Sequence, residues 1–438
     1  MQTTKQENMQ LSSGPLMEPQ TGKFLQMFPA LRQRNFRLFW FGQFISLIGT
    51  WMQTTGQAWL VLQLTHNDLA LGTVGALQFL PVLLFTLFGG VIADRLPKRR
   101  VLLGTQTFAC LLASTLFILY VTHTIQIWHI YILAFLLGIN NSLDMPTRQA
   151  FVVEMVGRDA LANAVALNSS VFNMAKIVGP GIAGLIIARF GEGPLFLGNA
   201  ISFIPVLFSL ILLDPTKLFA VQRKTSATPI GPLQSLNNGL KYVWKTPAIF
   251  LIIAVVSIVS LFGINFNVVE PLVGTELLHQ GAQGFGLISS SFGVGALIGA
   301  LSIATGNKVP SFKKMLTRAA MFCLGLALVG LSHNYLLSLG LAMFTGFSMI
   351  TFTATANTTL QTIAPDHLRG RVMSVYMLVF NGTTPIGNLF TGWLAGLAGI
   401  SIALVVNALA SFIAVLVGWI KRGPAEADLK QSLSPKEL

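Results

Sequence analysis

The chain has 438 residues, of which 53% are apolar and only 10% are charged. Soluble globular proteins carry about 25% charged residues, so a soluble fold of this size could not solvate its surface. The same composition excludes disordered, coiled-coil and collagen-like chains and indicates an integral membrane protein. The formal net charge is +13. In a soluble protein this would favour nucleic-acid binding, so the positions of the basic residues decide its meaning.

The first thirty residues are polar and lack the apolar core of a signal peptide. Residues 1–30 are therefore predicted to form a cytoplasmic N-terminal tail. Phe24, Phe28 and Leu31 have the i, i+4, i+7 spacing of an amphipathic helix. We expect a short interfacial helix there.

Twelve apolar stretches, each long enough to cross about 30 Å of hydrocarbon, follow this tail. They fall near 36–64, 71–92, 101–121, 127–146, 161–189, 195–213, 247–272, 284–306, 315–332, 335–362, 371–396 and 400–420. The predicted fold is all-α, with twelve transmembrane helices in two six-helix bundles. The bundles span 31–213 and 247–421; a cytoplasmic linker with an amphipathic segment spans 214–246, and a cytoplasmic tail spans 422–438.

The basic residues lie on one side of this predicted topology. With the N-terminus inside, 26 of the 28 Lys and Arg residues fall in inner loops and tails. The exceptions are Lys176, within a span, and Arg189, on the outer side. Because inner loops retain Lys and Arg, both termini are predicted to be cytoplasmic. Topology and anionic membrane lipid then explain the net charge, and no nucleic-acid partner is needed.

The two predicted bundles are related by an internal repeat. A shift of 208 residues superposes three glycines of each half: Gly138 on Gly346, Gly179 on Gly387, and Gly184 on Gly392. A shift of 212 places the apolar residues of the N-terminal tail on Leu236, Leu240 and Val243. This similarity indicates a parallel duplication. The alternative is chance matching in a chain with 41 glycines.

Polar side chains form stripes on several predicted spans. The first span has Ser46, Thr50, Gln53 and Gln57, the tenth has Asn357 and Gln361, and the eleventh has Asn381 and Asn388. Such stripes either hold helices together or line an aqueous cavity, and we favour a cavity because they recur in equivalent helices. Met52 and Phe266 lie among them, so the compound that enters is expected to be partly apolar. The predicted cavity residues are Gln53, Gln57, Asn173, Lys176, Asn267, Asn357, Gln361 and Asn381.

The segment after the second span reads GGVIADRLPKRR, from Gly89 to Arg100. A stop-transfer cluster of charges is the simpler interpretation, but such a cluster needs no aspartate. The pattern G-x-x-x-D-R-x-x-[KR]-[KR] resembles the loop motif of the major facilitator superfamily. The equivalent segment of the second half, 306–314, lacks the acid. The resemblance implies a cytoplasmic gate built from Gly90, Asp94, Arg95, Arg99, Arg148, Arg369 and Arg371.

Asp144 and Arg148 form an i, i+4 acid–base pair at the inner end of the fourth span. A local structural pair is the default interpretation. Asp144 is also a candidate for ion coupling, and with Asp94 the pair could contribute to the gate.

The fifth span contains Gly179-Pro180-Gly181 and Gly184, a pattern that predicts a kink and close helix packing. An ordinary transmembrane kink is the alternative. The pattern resembles the Gly-Pro motif of the superfamily's antiporters, although it ends in Ala-Gly where that motif has Gly-Gly. We identify Gly179, Pro180 and Gly184 as the kink residues.

Lys176 lies on the same span and shares a polar stripe with Ser169 and Asn173. An ionisable residue inside a bilayer is costly and is therefore a functional candidate. Lys176 either attracts an anionic group of a substrate or exchanges protons, because desolvation disfavours its charged form. A structural ion pair or a snorkelling side chain is the alternative.

Glu270 precedes Pro271 on the seventh span and shares a face with Ser260, Gly263 and Asn267. Its predicted position near the outer end of the span makes it either a coupling residue or a solvated residue of the cavity mouth.

Further motifs resemble a narrower branch of the superfamily, the exporters that include the enterobactin exporter and macrolide efflux pumps. They are LRQRNFRLFWFGQ from Leu31, GTWMQ from Gly49, DMPTRQAF from Asp144, NAVALNS from Asn163 and RGRVMS from Arg369. The resemblance implies a secondary active transporter that works by alternating access. It implies proton-coupled efflux of a small amphiphilic compound such as a siderophore, a macrolide or another drug-like molecule.

The sequence contains no pattern typical of catalysis, metal binding or phosphate binding, so an enzyme, a cofactor and a metal are not expected. Cys110 and Cys323 both lie in apolar runs. The expected partners are the small-molecule substrate, protons and membrane lipid, and the expected state is a monomer. Facilitated uptake by the same fold is the first alternative; a lipid scramblase or a membrane enzyme is the second.

Overall fold

The computed structural model describes residues 28–219, 232–305 and 311–433. Within these ranges the chain forms α-helices, a 3-10 turn at Pro215–Lys217 and a π-helical turn at Val273–Leu277, and it contains no β-strand. The predicted interfacial helix before the first bundle falls mostly on residues 1–27, outside the described ranges, as do residues 306–310 of the second-half loop.

The long helices follow one another with short connections. In chain order they are α1 (Arg34–Thr65), α2 (Asp68–Arg95), α3 (Lys98–Val121), α4 (Ile127–Val156), α5 (Leu161–Phe190), α6 (Gly193–Ile211), α7 (Pro247–Gly263, continued by Phe266–Leu272 and the π-helical turn), α8 (Ala282–Thr305), α9 (Phe312–Leu331), α10 (Tyr335–Ile363), α11 (Asp366–Gly382, continued by Thr384–Ala398) and α12 (Ile400–Ile420). Shorter helices lie at Pro29–Arg32, Pro232–Lys245 and Arg422–Leu433.

Nine of the helices within the described ranges are long and apolar enough to cross a membrane. They are α2, α3, α5, α6, α7, α8, α9, α10 and α12. The other three long helices of the described ranges, α1, α4 and α11, are not among them, and the two parts of α11 are only 17 and 15 residues long. An all-α membrane fold is therefore confirmed, while the number of twelve crossings stays a prediction.

Side-chain caps and glycines determine several helix ends. The Asn67 side chain accepts a hydrogen bond from the Leu69 N–H at 2.9 Å and begins α2. Gly191 and Gly399 have φ of 74° and 82°, a conformation that glycine adopts without strain, and they end α5 and α11. The Asn35 side chain joins the start of α1 to the segment after α6, because its Nδ2 donates to the Asp214 carbonyl at 2.9 Å.

The helix packing repeats from one half of the molecule to the other. In the first half α2 packs on α4, α3 on α6, and α1 on α6. In the second half α8 packs on α10, α9 on α12, and α7 on α12. Helices six apart in number therefore have equivalent neighbours, as a parallel duplication requires.

The glycines that the repeat pairs also make equivalent contacts. A Cβ on Gly138 would lie 2.5 Å from the Gln78 carbonyl of α2, and one on Gly346 would lie 2.1 Å from the Phe292 carbonyl of α8. Gly184 of α5 packs against α8, and Gly392 of α11 packs against α2. Each of these positions brings two helix backbones into contact, which only glycine allows. The glycine matches therefore reflect packing and not composition.

The two halves meet through α5 against α8 and through α2 against α11. These contacts lie towards the end of the bundle that carries the connections 66–67, 191–192, 278–281 and 399, which we call the closed end. The opposite end carries Arg95, Lys98, Lys245 and Arg369, and we call it the basic end. The chain thus forms two six-helix halves that touch at the end poor in basic residues.

Candidate functional site

Lys176 lies between the two halves, in contact with an aromatic ring from each. Its ammonium is 5.7 Å from the centre of the Trp51 ring on α1 and 5.6 Å from the centre of the Phe266 ring on α7. Both distances are within the range of a cation–π contact. The ion pairs within the described part of the chain do not include Lys176, so no carboxylate there lies within 4 Å of its ammonium. Lys176 therefore connects α5 to α7 while its charge lacks a salt-bridge partner.

Glu270 on α7 is an acidic group that interacts electrostatically with this lysine. Lys176 and Ser289 of α8 are the charged and polar groups around its carboxyl. Its Oε1 is buried and has no hydrogen-bond donor among the residues that the structure describes. An unpaired buried carboxylate is unfavourable, so this group depends on Lys176 or on a bound proton for stability. Lys176 and Glu270 together form an electrostatic link between the halves.

The position of Glu270 differs from the expectation of a solvated residue near the cavity mouth. The sequence predicts the end of the seventh span near 272, whereas helical structure continues to Leu277 through the π-helical turn. The glycine and the charged residue in that turn, Gly274 and Glu276, made the segment look like a loop in the sequence. Because the helix runs five residues further, Glu270 lies roughly 7–8 Å further from the end of the helix than predicted.

A concave pocket of about 400 Å³ lies on the second half, between α10 and α11. Its lining combines amide and hydroxyl groups with apolar and aromatic side chains: Ile350, Thr353, Ala354, Asn357, Thr358, Tyr376, Met377 and Phe380. Asn357 also accepts a hydrogen bond from the Gln361 side chain. Asn381 is exposed one turn beyond Met377, and its Nδ2 donates to the Met377 carbonyl at 3.1 Å. Of the three predicted residues, Asn357 lines the pocket, Gln361 bonds to it, and Asn381 bonds to the backbone of the lining residue Met377; the lining contains no charged residue.

Other predicted cavity residues divide between half-buried and buried positions. Gln57, Asn173 and Asn267 are half-buried, and the Asn173 Nδ2 donates to the Ser169 carbonyl at 2.8 Å. Gln53 is only 8% exposed, and its Oε1 accepts a hydrogen bond from the Asn199 Nδ2 of α6 at 2.8 Å. Gln53 therefore holds α1 against α6, which is the helix-joining alternative for a polar stripe.

An equivalent buried network in the second half was not expected from the sequence. The Nδ2 atoms of Asn265 and Asn407 donate to the Thr391 hydroxyl at 3.1 and 2.9 Å, which joins α7, α11 and α12. Asn265 follows Gln53 by 212 residues and Asn407 follows Asn199 by 208. The two shifts of the internal repeat could therefore have identified this network as the counterpart of the Gln53–Asn199 pair.

Asp144 is buried and fully bonded within the first half. It accepts hydrogen bonds from the Thr105 hydroxyl at 2.7 Å, the Gln106 amide at 2.8 Å and the Arg148 Nε at 3.0 Å. Its charge is satisfied by groups on α3 and α4. This geometry agrees with the interpretation of Asp144 and Arg148 as a local structural pair. Because Glu270 lacks such partners, Asp144 is the weaker candidate for ion coupling.

The predicted gate residues lie at the basic end, and several have partners within their own half. Arg99 donates to the Leu210 and Ile211 carbonyls at 2.7 Å and caps α6. Arg369 donates to the Gln361 carbonyl at 2.9 Å. The side chain of Asp94 lies outside the described part of the structure. Arg95 is exposed and Gly90 half-buried.

Two further contacts at the basic end were not predicted from the sequence. Lys98 forms an ion pair with Glu154 at 2.7 Å and joins α3 to α4. The helix Pro232–Lys245 packs on α11, where a Cβ on Gly239 would lie 3.0 Å from the Arg371 carbonyl. This helix is the amphipathic linker segment of the sequence analysis, and its buried residues include Val243.

The Gly-Pro segment of α5 forms much of the contact between the halves. Gly179 packs on Trp51, and a Cβ on Gly184 would lie 2.6 Å from the Ala282 carbonyl of α8. The Ser290 hydroxyl of α8 donates to the Ile177 carbonyl at 2.7 Å. The segment therefore serves as a packing surface between the halves close to Lys176.

A second contact between the halves involves two carboxyl groups at the closed end. Asp68 begins α2, and Glu276 lies in the π-helical turn of α7, where its carboxyl is within hydrogen-bonding reach of the Asp68 carboxyl. A crevice of about 200 Å³ beside them is lined by Leu62, His66, Thr275 and Glu276. The sequence analysis did not identify this pair.

Comparison with known proteins agrees with this architecture. The family model of the transmembrane secretion effectors matches residues 26–436. The chain is 26% identical over 404 residues to the staphyloferrin A transporter of Staphylococcus aureus, covering 90% of this chain and 98% of the relative. It is 29% identical to the multidrug efflux pump Tap of Mycolicibacterium fortuitum, covering 78% and 84%. It is 21% identical to macrolide efflux protein A of Streptococcus pyogenes, covering 84% and 91%.

Solved structures with the same fold are more distant in sequence. The nucleoside transporter NupG superposes with a TM-score of 0.71 at 15% identity, covering 89% of this chain and 99% of that chain. The POT family transporter PepTSo gives a TM-score of 0.71 at 12% identity, covering 91% and 99%. These likenesses establish the fold. The family match over nearly the whole chain, together with the transporters among its relatives, shows that the protein belongs to the transmembrane secretion effector family of the major facilitator superfamily and is a multi-pass membrane transporter, not an enzyme.

Proposed function

We propose that the protein is a proton-coupled exporter of a small amphiphilic compound and works by alternating access. The relatives named for transport or efflux of a siderophore, of multiple drugs and of macrolides support this assignment. The mixed polar and aromatic lining of the α10–α11 pocket suits a compound with both polar and apolar parts. We place the protein in a bacterial inner membrane with twelve crossings and both termini in the cytoplasm, because 26 of 28 basic residues then lie inside.

The observation that carries the proposal is the Lys176–Glu270 link between the halves. Ionised Glu270 attracts Lys176 across the interface, whereas a protonated carboxyl does not. Protonation therefore changes the attraction between α5 and α7, the change that a coupling residue must produce. Gln57, Asn173, Asn267, Asn357, Gln361 and Asn381 line the substrate cavity in this proposal. Gln53 does not line the cavity in this proposal; it holds α1 against α6 through its hydrogen bond with Asn199.

With this orientation, the closed end faces outwards and the structure represents the inward-facing state. Transport then requires the opposite state, in which the basic ends of the halves come together. We assign that closure to the gate residues Gly90, Asp94, Arg95, Arg99, Arg148, Arg369 and Arg371. Asp94 would face the N-terminus of α11, whose helix dipole and nearby Arg369 favour a negative charge.

Everted membrane vesicles test export directly. With a respiration-generated pH gradient, acid inside, addition of a transported compound should partly collapse the gradient as protons leave in exchange. Staphyloferrin A and a macrolide are suitable first probes, since relatives carry those names. Vesicles without the protein are the control. Uptake that proceeds equally with and without a pH gradient would instead support facilitated transport by this fold.

A further inference from the structure

We propose that Lys314 and Arg318 of α9 form a binding site for the phosphate of an anionic phospholipid. The two residues are one helical turn apart near the start of α9, at the basic end of the second half. The assignment of this end to the cytoplasmic leaflet rests on the orientation proposed above. Binding of the lipid itself does not depend on export.

The guanidinium of Arg318 reaches from α9 to two buried threonines of α10. Its Nη1 donates to the Thr355 hydroxyl and to the Thr351 carbonyl, the latter at 3.5 Å. Both acceptors are neutral, and no carboxylate of the described residues lies within 4 Å of the guanidinium. An arginine has five N–H donors in a fixed planar arrangement. The Nε and Nη2 donors are therefore left for an anion.

The internal repeat shows that the first half balances the equivalent position with an acid. A shift of 212 residues places Gln106 on Arg318, and the Gln106 amide donates to the Asp144 carboxylate at 2.8 Å. A shift of 208 places Asp144 on Phe352. The second half thus has a cation in place of the amide and an apolar ring in place of the acid. Its α9–α10 pair does not supply the balancing negative charge.

Lys314 adds a second positive charge beside Arg318. Like charges four residues apart on a helix repel each other. Lys314 is exposed and Arg318 is half-buried, and neither has an acidic partner among the described residues. A phosphate between them would replace this repulsion with charge-assisted hydrogen bonds, of which the guanidinium can make two in parallel. The cluster therefore matches a phosphate in charge and geometry.

The surface of α9 beyond these cations favours a phospholipid over a soluble phosphate compound. Leu324, Leu328 and Leu331 have i, i+4, i+7 spacing and are 55%, 37% and 61% exposed. They continue the exposed side of the helix that carries Lys314, so an acyl chain can pack along them while the phosphate lies at the cations. Two cations without an acid also disfavour a zwitterionic headgroup, because nothing there pairs with its ammonium. The occupant is thus an anionic phospholipid.

Lipid titration of the purified full-length protein in a neutral detergent, read by native mass spectrometry, tests the site without a transport assay. The probe is palmitoyl-oleoyl phosphatidylglycerol, and phosphatidylcholine with the same chains is the comparison. The wild type should bind phosphatidylglycerol roughly tenfold more tightly, because each nearby cation contributes about a fivefold preference for an anionic lipid. Lys314→Gln should reduce the affinity for phosphatidylglycerol about fivefold. Arg318→Gln should reduce it about tenfold or more, since a charge-assisted hydrogen bond is also lost.

Both variants are expected to fold. Lys314 is exposed, and Arg318→Gln introduces the side-chain type that Gln106 has at the equivalent position of the first half. Thermal unfolding without added lipid checks this expectation. Lys314→Gln tests the site on its own where the Arg318 variant is unstable.

The matched control is Lys313→Gln, which removes an exposed charge from the same turn of α9. Lys313 is about 100° round the helix from its neighbour Lys314, so its loss should leave the affinity nearly unchanged. Equal affinities of the wild type for the two lipids would overturn the site. An equal loss in all three variants would show general surface attraction and would also overturn it. Displacement of phosphatidylglycerol by millimolar inorganic phosphate would assign the site to a soluble anion and contradict the lipid.

Discussion

Asp144 and Glu270 are both carboxyls within helices of the membrane protein, yet their surroundings differ. Asp144 accepts hydrogen bonds from Thr105, Gln106 and Arg148. Glu270 has a buried oxygen without a donor and a lysine on the opposite half. The carboxylate of Asp144 is therefore satisfied by groups of its own half, whereas a charge on Glu270 acts across the interface on Lys176. A buried carboxyl oxygen without a hydrogen-bond donor thus distinguishes a candidate coupling residue from a structural one.

Lys176 should act through its charge, because its ammonium contacts only ring faces and no acid within 4 Å among the described residues. Lys176→Met should weaken binding of a transported compound or remove the pH dependence of transport. A lost charge-assisted hydrogen bond of about 1.5–3 kcal/mol corresponds to a ten- to hundredfold change. Lys176→Arg should retain part of the activity. Binding measured on purified protein between pH 6 and pH 8 provides the readout.

The control for this prediction is Lys241→Met on the linker helix, where the side chain is exposed. It removes the same charge outside the cavity and should leave binding unchanged. Normal binding and normal pH dependence in Lys176→Met would show that the lysine is structural.

At the scale of helices, the sequence predicted where the helices lie better than it predicted which residues contact one another between helices. Hydrophobic length predicted the spans, and the positions of glycines predicted close packing, because both depend on local sequence. The partner of Gln53 is Asn199, 146 residues away, and no local pattern specifies such a contact. The extension of α7 was not predicted for a related reason. Residues 273–277 have a sequence typical of a loop, but packing against the rest of the protein makes them helical.

Packing of α5 against α8 predicts the effect of a larger residue at Gly286. A Cβ there would lie 2.4 Å from the Pro180 carbonyl, so Gly286→Val cannot keep the closed contact. Overpacking typically costs about 1–3 kcal/mol, which should shift molecules roughly five- to hundredfold towards separation of the closed end. Spin-label distances across the closed end would measure the shift.

Gly198 provides the matched control, because a Cβ on it meets no atom within 4 Å. Gly198→Val should leave the distance distribution unchanged. If Gly286→Val also leaves it unchanged, the contact between α5 and α8 does not hold the closed end.

At the scale of the whole molecule, most of the contacts between the halves that the described residues make lie towards the closed end. Glycine contacts and the Ser290 hydrogen bond join the halves towards the closed end. At the basic end, Arg99 and Arg148 make contacts within the first half. A rocking motion about the central link would exchange one set of contacts for the other, the usual basis of alternating access.

The central claim, that Glu270 couples protons to export, is tested most directly in proteoliposomes of purified protein. Two rates are compared for one transported compound: net transport driven by an imposed pH gradient, and exchange of labelled for unlabelled compound without a gradient. In Glu270→Gln, gradient-driven transport should fall at least tenfold while exchange persists, because substrate binding and conformational change remain but proton carriage is lost. The exposed variant Asp159→Asn should retain both rates. Gradient-driven transport at the wild-type rate in Glu270→Gln would contradict the account.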